Sequence, residues 1–488
     1  MTLWRRLADL PLLVNLIGLT AAAMLVPAAH ALAIRQLPVS RAFFYSALIL
    51  LTLTAMIAVA TATYRARGTV RGQLVAVIAA YLVVPVVAAV PVQQAVPGLT
   101  FTAAWFEMLS SFTTTGATVF DTPDLIALPV HLWRAIVGWA GGFYILVSVM
   151  AVLAPLGLDG VEHTGAGADR GSGRVGRTAR LIFPPYLGMT ALLWLALLLA
   201  GDTGLIALCH AMSTLATSGI SPLSGLQSAA SGVAGEAVIF AGLTLAVTCR
   251  FWQRAPATEK RRSPWQDPEI QLACALVGTA TVAVGLHHWV MVAPAGITAP
   301  VTAHFHMVWG AAFTALSFLT TTGFQSADWP QIGAPGLILL GLAMIGGGGA
   351  TAAGGIKLLR LYALLRHAER ELERIIHPHS IGGHGQIARR LRREGAYLAW
   401  IFFMIFGLAV FATTAAFTLT GLSANDALVL AIACLTTTGQ LAMVAGDEPV
   451  SYADLGTAAK AVAGAAMVLG RLEILAIFAA FAPNGWAR

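Results

Sequence analysis

Ten apolar stretches of 18 to 25 residues divide this chain, and they limit its fold more than any other feature. They run Leu10 to Ile34, Phe43 to Ala62, Gln73 to Val96, His131 to Ala154, Leu181 to Ala200, Gly232 to Cys249, Ile270 to Val292, Ile332 to Ala350, Ala396 to Thr418 and Ala458 to Phe481. A helix crosses a ~30 Å hydrocarbon layer in about 20 residues, so each stretch is of spanning length. In hydrocarbon every backbone N–H and C=O must be satisfied within the protein, which leaves helices as the fold for such runs. Charged residues are only 10% of the 488, against about 25% in soluble domains, so a soluble globule is excluded. The chain therefore reads as an all-α polytopic membrane protein. Arg5 and Arg6 before the first run, with Ala29-His30-Ala31 behind it, imitate a secretory leader. The run exceeds the about 7 to 15 residue core of a leader and is expected to be the first span. Cys209, Cys249, Cys274 and Cys434 show no C-x-x-C spacing and are expected to be small buried hydrophobes.

Orientation follows from basic residues in the short loops. With the N-terminus cytoplasmic, 24 of the 29 Lys and Arg lie inside, Arg35, Arg41, Arg134 and Lys460 lie outside, and Arg471 falls within a span. Both termini are then expected in the cytoplasm. Ten carboxylates face outward: Glu107, Asp121, Asp124, Asp202, Glu236, Asp328, Asp426, Asp447, Glu448 and Asp454. The outer face carries −6 and the inner face +13. An acidic entrance concentrates cations, although solvated loops carry the same signature. The formal net charge of +7 is an orientation signal, and no nucleic acid partner is expected.

Four shorter stretches, Phe101 to Thr115, Leu205 to Ser218, Phe305 to Thr322 and Asn425 to Thr438, lie between the spans and are expected to be re-entrant. Their endings align: Phe112-Thr113-Thr114-Thr115-Gly116, Leu215-Ala216-Thr217-Ser218-Gly219, Leu319-Thr320-Thr321-Thr322-Gly323 and Leu435-Thr436-Thr437-Thr438-Gly439. Six residues before each glycine stand Ser110, Ser213, Ser317 and Ala433, and the glycines are separated by 103, 104 and 116 residues. The repeat predicts ten transmembrane helices plus four re-entrant pore loops in pseudo-fourfold arrangement around one pore. A cation leaving water needs a replacement hydration shell, and four copies around an axis supply rings of backbone carbonyls. Those of Thr114, Thr115, Thr217, Ser218, Thr321, Thr322, Thr437 and Thr438 are the expected ligands, with Gly116, Gly219, Gly323 and Gly439 allowing the turn. Short helices entering from outside point their partly negative C-termini at the centre, which favours a cation. A secondary carrier with broken helices is the other use of such parts, but those folds show two inverted halves.

Four span, loop, span units with T-T-G-like endings and an extra N-terminal helix pair resemble the TrkH/KtrB superfamily of potassium transporters, in its TrkH branch. The resemblance implies selective K⁺ uptake across a bacterial inner membrane by a pore within one chain, no enzymatic activity, and no organic cofactor. It also implies a homodimer and a cytoplasmic TrkA-like nucleotide-binding regulatory subunit. The alternative is a Na⁺- or H⁺-coupled carrier of another monovalent cation. The expected divisions are a helix pair over 1–70, repeats over 71–160, 175–255, 266–360 and 396–488, and a basic cytoplasmic segment over 361–395.

Two further features lie under the filter. Gly346-Gly347-Gly348-Gly349 and Gly354-Gly355 cannot sustain an uninterrupted helix, and no G-K-[ST] ending makes them a phosphate loop. The resemblance makes them an intramembrane gating loop ending at Lys357. Arg471 within a span costs at least ~2.5 to 3.5 kcal/mol and needs a partner; Glu473, two positions on, diverges around the helix. The family's matching arginine implies a positive barrier near the pore axis. His304, His306, His377 and His379 lack a carboxylate or cysteine framework and read as solvated loop residues, and no G-x-S-x-G elbow supports a serine, histidine and acid set. Two departures from the family stand out: Ala216 replaces a threonine in the second ending, and Gln440 follows Gly439 where the family often has Gly-Pro.

Overall fold

The computed structural model describes residues 12–61, 70–153, 174–223, 225–248, 250, 264–292, 301–329, 336–377, 393–446 and 448–472. Among these, sixteen α-helices and short 3₁₀ or π turns form all the regular structure. Helices α1 (Leu12–Ala23), α2 (Leu25–Ala33) and α3 (Leu37–Thr61) come first. A long helix, a short helix and an outgoing helix then recur four times. The first set is α4 (Val70–Ala95), α5 (Phe101–Phe112) and α6 (Leu128–Ser148); the second is α7 (Arg174–Leu199), α8 (Gly204–Ala216) and α9 (Gly232–Leu243). The third is α10 (Pro268–Val292), α11 (Val301–Leu319) and α12 (Gly336–Ile345), followed by α13 (Leu358–Ile376). The last is α14 (Arg393–Leu419), α15 (Ala424–Leu435) and α16 (Thr457–Arg471).

The packing closes on itself. Each short helix lies against its own incoming and outgoing helices, as α5 does with α4 and α6. Each outgoing helix also packs on the next short helix: α6 on α8, α9 on α11, α12 on α15, and α16 back on α5. The short helices bury their C-terminal halves; in α5 every residue from Phe106 to Phe112 is inside. Aromatic packing fixes the first of them, with Phe112 5.1 Å from Tyr81 and 5.7 Å from Tyr144 between ring centroids. The long helices turn Met56, Val59, Leu192, Leu199, Val282 and Phe411 outward, all exposed. So much exposed apolar surface is the mark of a lipid-facing wall.

Among the described residues, seven helical stretches are long and apolar enough to cross a bilayer: Leu12–Ala33, Leu37–Thr61, Gly72–Ala95, Leu128–Leu153, Arg174–Leu199, Pro268–Val290 and Gly395–Leu419. The first bends at Met24, because Pro27 has no N–H to give the Ala23 carbonyl. Two expected spans are shorter than their apolar runs. After Leu243, α9 tightens into a 3₁₀ turn over Thr244–Ala246, and the freed Ala246 carbonyl accepts the Gly348 N–H at 3.0 Å. Helix α12 stops at Ile345, where the glycine run begins and each residue would cost about 1 kcal/mol in a helix. Helix α11, in a stretch expected to be re-entrant, runs 19 residues.

Other expectations are corrected by burial. Glu107, Asp202 and Glu236 do not form an acidic outer surface; they are 0%, 5% and 3% exposed, each spent on internal hydrogen bonds, and Arg134 is 2% exposed beside Glu107. Cys209 and Cys434 are buried as expected, whereas Cys274 is exposed on α10. His304 and His306 sit exposed on α11 rather than in a loop, and His306 Nδ1 lies 2.8 Å from Asp328. Cys249, His379, Glu473 and most of the basic inner loops lie outside the described residues.

Candidate functional site

Each short helix ends in the same backbone motif. Thr115, Ser218, Thr322 and Thr438 donate their N–H to the carbonyls of Ser110, Ser213, Ser317 and Ala433, at 2.8 to 2.9 Å. Thr114, Thr217, Thr321 and Thr437 donate to Ser111, Thr214, Phe318 and Cys434. Paired bonds of this kind define a Schellman cap, in which the residue after the helix is left-handed and is usually glycine. Here it is threonine four times, at φ of 54°, 52°, 57° and 54°. A β-branched residue in this region costs on the order of 1–3 kcal/mol, and such strain clusters where backbone direction serves a site. The spacing of Ser110, Ser213, Ser317 and Ala433 thus has a structural cause: their carbonyls close the caps. Gly116, Gly219 and Gly323 follow at positive φ, and Gly439 departs by not doing so.

The four turns meet in cyclic order. A methyl group on Gly116 would collide with the Ser218 carbonyl, and one on Gly219 with the Thr322 carbonyl. One on Gly323 would lie 2.9 Å from Gln440 Cβ, and one on Gly439 would collide with Ala117 N. The ring is sealed by the Gly439 N–H, which donates to Thr115 O at 2.6 Å. All four glycines open on one vestibule of about 380 Å³, lined also by Asp121, Arg134 and Gln440. At the left-handed positions the hydroxyls of Thr114, Thr217 and Thr437 are buried without a hydrogen-bond partner, while that of Thr321 accepts the Gly354 N–H at 2.7 Å. Hydroxyl pairs brace three turns, at 2.9 Å for Thr113 and Thr115, 3.2 Å for Thr320 and Thr322, and 3.3 Å for Thr436 and Thr438. In the second turn Ala216 removes that brace, and Ser218 instead donates to Ser213 at 3.1 Å.

Different chemistry holds each turn from behind. Nine residues before the glycines stand Glu107, His210, Thr314 and Leu430. Glu107 Oε2 accepts Val119 N at 2.8 Å and Thr118 Oγ1 at 3.1 Å, while Oε1 lies 2.6 Å from Arg134 Nε as a charge contact without hydrogen-bond alignment. Arg134 Nη1 donates to His131 Nδ1 at 3.0 Å, and His131 Nε2 donates to Pro123 O at 2.9 Å, which sets the tautomer. His210 lies 2.9 Å from Ser221 Oγ and 3.4 Å from Asp202 Oδ2, and Asp202 Oδ1 accepts Ser231 N at 3.0 Å. These contacts brace the second turn, with Ser221 tied into the loop by accepting Leu223 N at 3.1 Å. Burial would push the Asp202 carboxyl up, but the hydrogen bonds from His210 and Ser231 hold it below its usual range. In the third turn Thr314 Oγ1 accepts Ser326 N at 3.2 Å, and Glu236, from α9, accepts Trp309 Nε1, Ser326 Oγ and Ala327 N, each at 2.8 Å. In the fourth, Tyr452 donates its hydroxyl to Gly439 O at 3.0 Å. Neither the threonine strain nor these anchors was anticipated; the shared ninth position is the sequence signal that points to three of them.

Below the turns the glycine run forms a closed loop. Ile356, Lys357 and Leu358 donate their N–H to Met344, Ile345 and Gly347 carbonyls at 2.8 to 2.9 Å, making a stem. Gly354 lies against the ring, since a Cβ there would collide with Thr436 O, and Gly346 crosses Gly355 in the stem. Gly347 and Gly348 abut the Ala246 and Val247 carbonyls, and Gly349 donates to Glu269 Oε1 at 2.6 Å. Lys357, at φ 84°, caps the loop from its own base by donating Nζ to Ala353 O. Arg471 Nη1 donates to Ala352 O at 2.5 Å, beside the phenols of Tyr81 and Tyr186. The predicted gate residues are thus brought together, with Gly354 against the ring. Arg471 pairs with no carboxylate among the described residues.

Comparisons with known proteins fit this geometry. A family model described as cation transport protein, TrkH, matches residues 272–487. The Trk system potassium uptake protein TrkH of Salmonella typhimurium is 29% identical over 412 residues, covering 80% of this chain and 80% of that protein. Its counterpart from Escherichia coli strain K12 is 28% identical over the same shares. The crystal structure of the potassium transporter TrkH from Vibrio parahaemolyticus superposes with a TM-score of 0.80 at 26% identity, over 98% of this chain and 99% of that one.

Proposed function

We propose that the chain is a transporter of the TrkH family of cation transport proteins, and that it carries potassium ions into the cell. The pathway runs down the centre of the four turns. The observation that carries this reading is the ring of left-handed threonines, with three buried hydroxyls lacking a partner and the fourth held by the loop beneath. Buried polar atoms are normally paired, and a hydroxyl oxygen without a partner can serve as a ligand to a cation. An ion that sheds its water regains oxygen contacts from the carbonyls of Thr114, Thr115, Thr217, Ser218, Thr321, Thr322, Thr437 and Thr438. The anchors behind the turns hold those oxygens in place, as a selective site requires.

In the same reading the loop from Gly346 to Gly355 closes the pathway from the inner side, and Arg471 holds it there through Ala352. The positive-inside pattern sets the vestibule outward and both termini in the cytoplasm of a bacterial inner membrane. Pairing with a second copy and with a TrkA-like nucleotide-binding regulator completes the proposal. Ten spans with four re-entrant loops is the arrangement that accommodates the two short outgoing helices.

The test is ion flux into proteoliposomes, with K⁺ and Na⁺ compared under a membrane potential. Wild type should favour K⁺, and Gly323→Ser should lower that preference. Equal fluxes of both ions, or unchanged preference in serine variants of all four glycines, would reject the pathway. Growth of a K⁺-uptake-deficient bacterium at low K⁺ gives the cellular version.

A further inference from the structure

Gln440 follows the fourth glycine and reaches across the mouth of the ring. Its Nε2 lies 3.3 Å from Gly116 O and 3.5 Å from Gly219 O. Its Cβ and Cγ stand 2.9 and 3.1 Å from where a methyl on Gly323 would sit, and Cγ is 3.6 Å from the same place on Gly219. One side chain from the fourth turn therefore meets the glycines of the other three, which it can do only by crossing over the axis. It also lines the outer vestibule and is only partly buried. Carbonyl oxygens accept but do not donate, so the amide NH₂, and not Oε1, faces Gly116 and Gly219.

We propose that Gln440 is an outer latch that sets the apparent affinity for the incoming ion. The inference rests on the central pathway proposed above. The positive end of the amide dipole occupies the position that a cation would take at the two outermost carbonyls. An arriving ion must displace it. Both contacts are long beside the about 2.7 to 3.2 Å of a strong N–H···O bond, so the latch is weak enough to swing aside. The latch thus competes with the ion, raising the concentration needed for half-maximal uptake while leaving the inner part of the pathway unaltered.

The test measures uptake against external K⁺ for wild type, Gln440→Ala, Gln440→Leu and Gln440→Glu, with serine variants of the four glycines as controls for the pathway itself. Gln440→Ala and Gln440→Leu each remove the donor, and the leucine keeps most of the bulk. Both should lower KM about fivefold with Vmax nearly unchanged, a shift of ~1 kcal/mol. Gln440→Glu puts a carboxylate that cannot donate at the mouth, and external Ba²⁺ should block it at about tenfold lower concentration than wild type. If Gly323→Ser changes the K⁺ to Na⁺ ratio while all three Gln440 variants keep wild-type KM and Ba²⁺ block, the latch is refuted and the pathway stands. If serine variants of all four glycines leave the ratio unchanged as well, the pathway fails and takes the latch with it. A fall in KM for alanine but not for leucine would show obstruction by bulk and would overturn competition by the amide.

Discussion

Replacing Glu107 and Arg134 singly and together tests whether the first turn is held by the charges behind it. Glu107→Leu removes the acceptor for Val119 N and Thr118 Oγ1 and strands the Arg134 guanidinium, 2% exposed, with His131 as its remaining hydrogen-bond partner. Leaving one member of a buried pair uncompensated costs about 3–5 kcal/mol. Arg134→Met leaves Glu107 with its two donors and belongs at the lower end, ~3 kcal/mol. The double variant Glu107→Leu, Arg134→Met removes both charges, and an apolar pair of similar volume is often neutral against the ions it replaces. What remains is the loss of a partner for Val119 N and Thr118 Oγ1, about 1–3 kcal/mol for an unsatisfied donor. The double should therefore be about 2 kcal/mol more stable than Glu107→Leu alone, a coupling visible in chemical denaturation of detergent-purified protein followed by tryptophan fluorescence. Selectivity should behave differently. Because the segment after Gly116 still lacks its anchor, the double should retain a reduced K⁺ to Na⁺ flux ratio. Additive destabilisation, or wild-type selectivity in the double, would refute this account of the first turn.

Gly354→Ala forces the inner loop away from Thr436 and Thr437, and Arg471→Gln weakens its hold on Ala352; each should raise basal K⁺ flux by about tenfold, ~1.4 kcal/mol in the closed-to-open balance. Flux at the wild-type level through folded protein would exclude the loop as a barrier. Asp202 has its carboxyl lowered in the fold, so its contribution to the second turn is complete above the ordinary value of 3.8 and is lost as pH falls through the lower folded value. Protection of the Ser231 amide in hydrogen exchange should decline in that acid range, and a decline centred above the ordinary value would contradict the assigned hydrogen bonds. Finally, Asp121→Cys in a background with the native cysteines replaced by serine should react with an impermeant thiol reagent from outside intact cells, since Asp121 is exposed at the vestibule. Labelling only after permeabilisation would invert the orientation.

The helical order was legible because two independent signals agree, the length of the apolar runs and the recurrence of the threonine and glycine endings. The adjacency of the endings was legible too, since four copies in phase have one economical arrangement. The direction of the bend was not. Attention falls on Gly116 and its counterparts, yet the left-handed residue of each helix cap lies two places earlier, at threonines that ordinarily avoid that conformation. Charge counting misplaced Glu107, Asp202 and Glu236, because loop position along the chain does not reveal that each carboxylate folds inward onto backbone N–H groups. The ends of α9 and α12 also escaped notice: hydropathy continues past them, while the backbone leaves the helix to meet the glycine loop. Contacts such as Gln440 to Gly116, 324 residues apart, follow from ring closure and from nothing local.

A ring in which α16 returns to α5 has four quadrants encoded separately, unlike a tetramer of identical chains, where any change is copied around the axis. Glutamate, histidine, threonine and leucine occupy one equivalent place in successive quadrants. A single substitution therefore perturbs a quarter of the collar, and drift can tune one wall while three preserve the cavity.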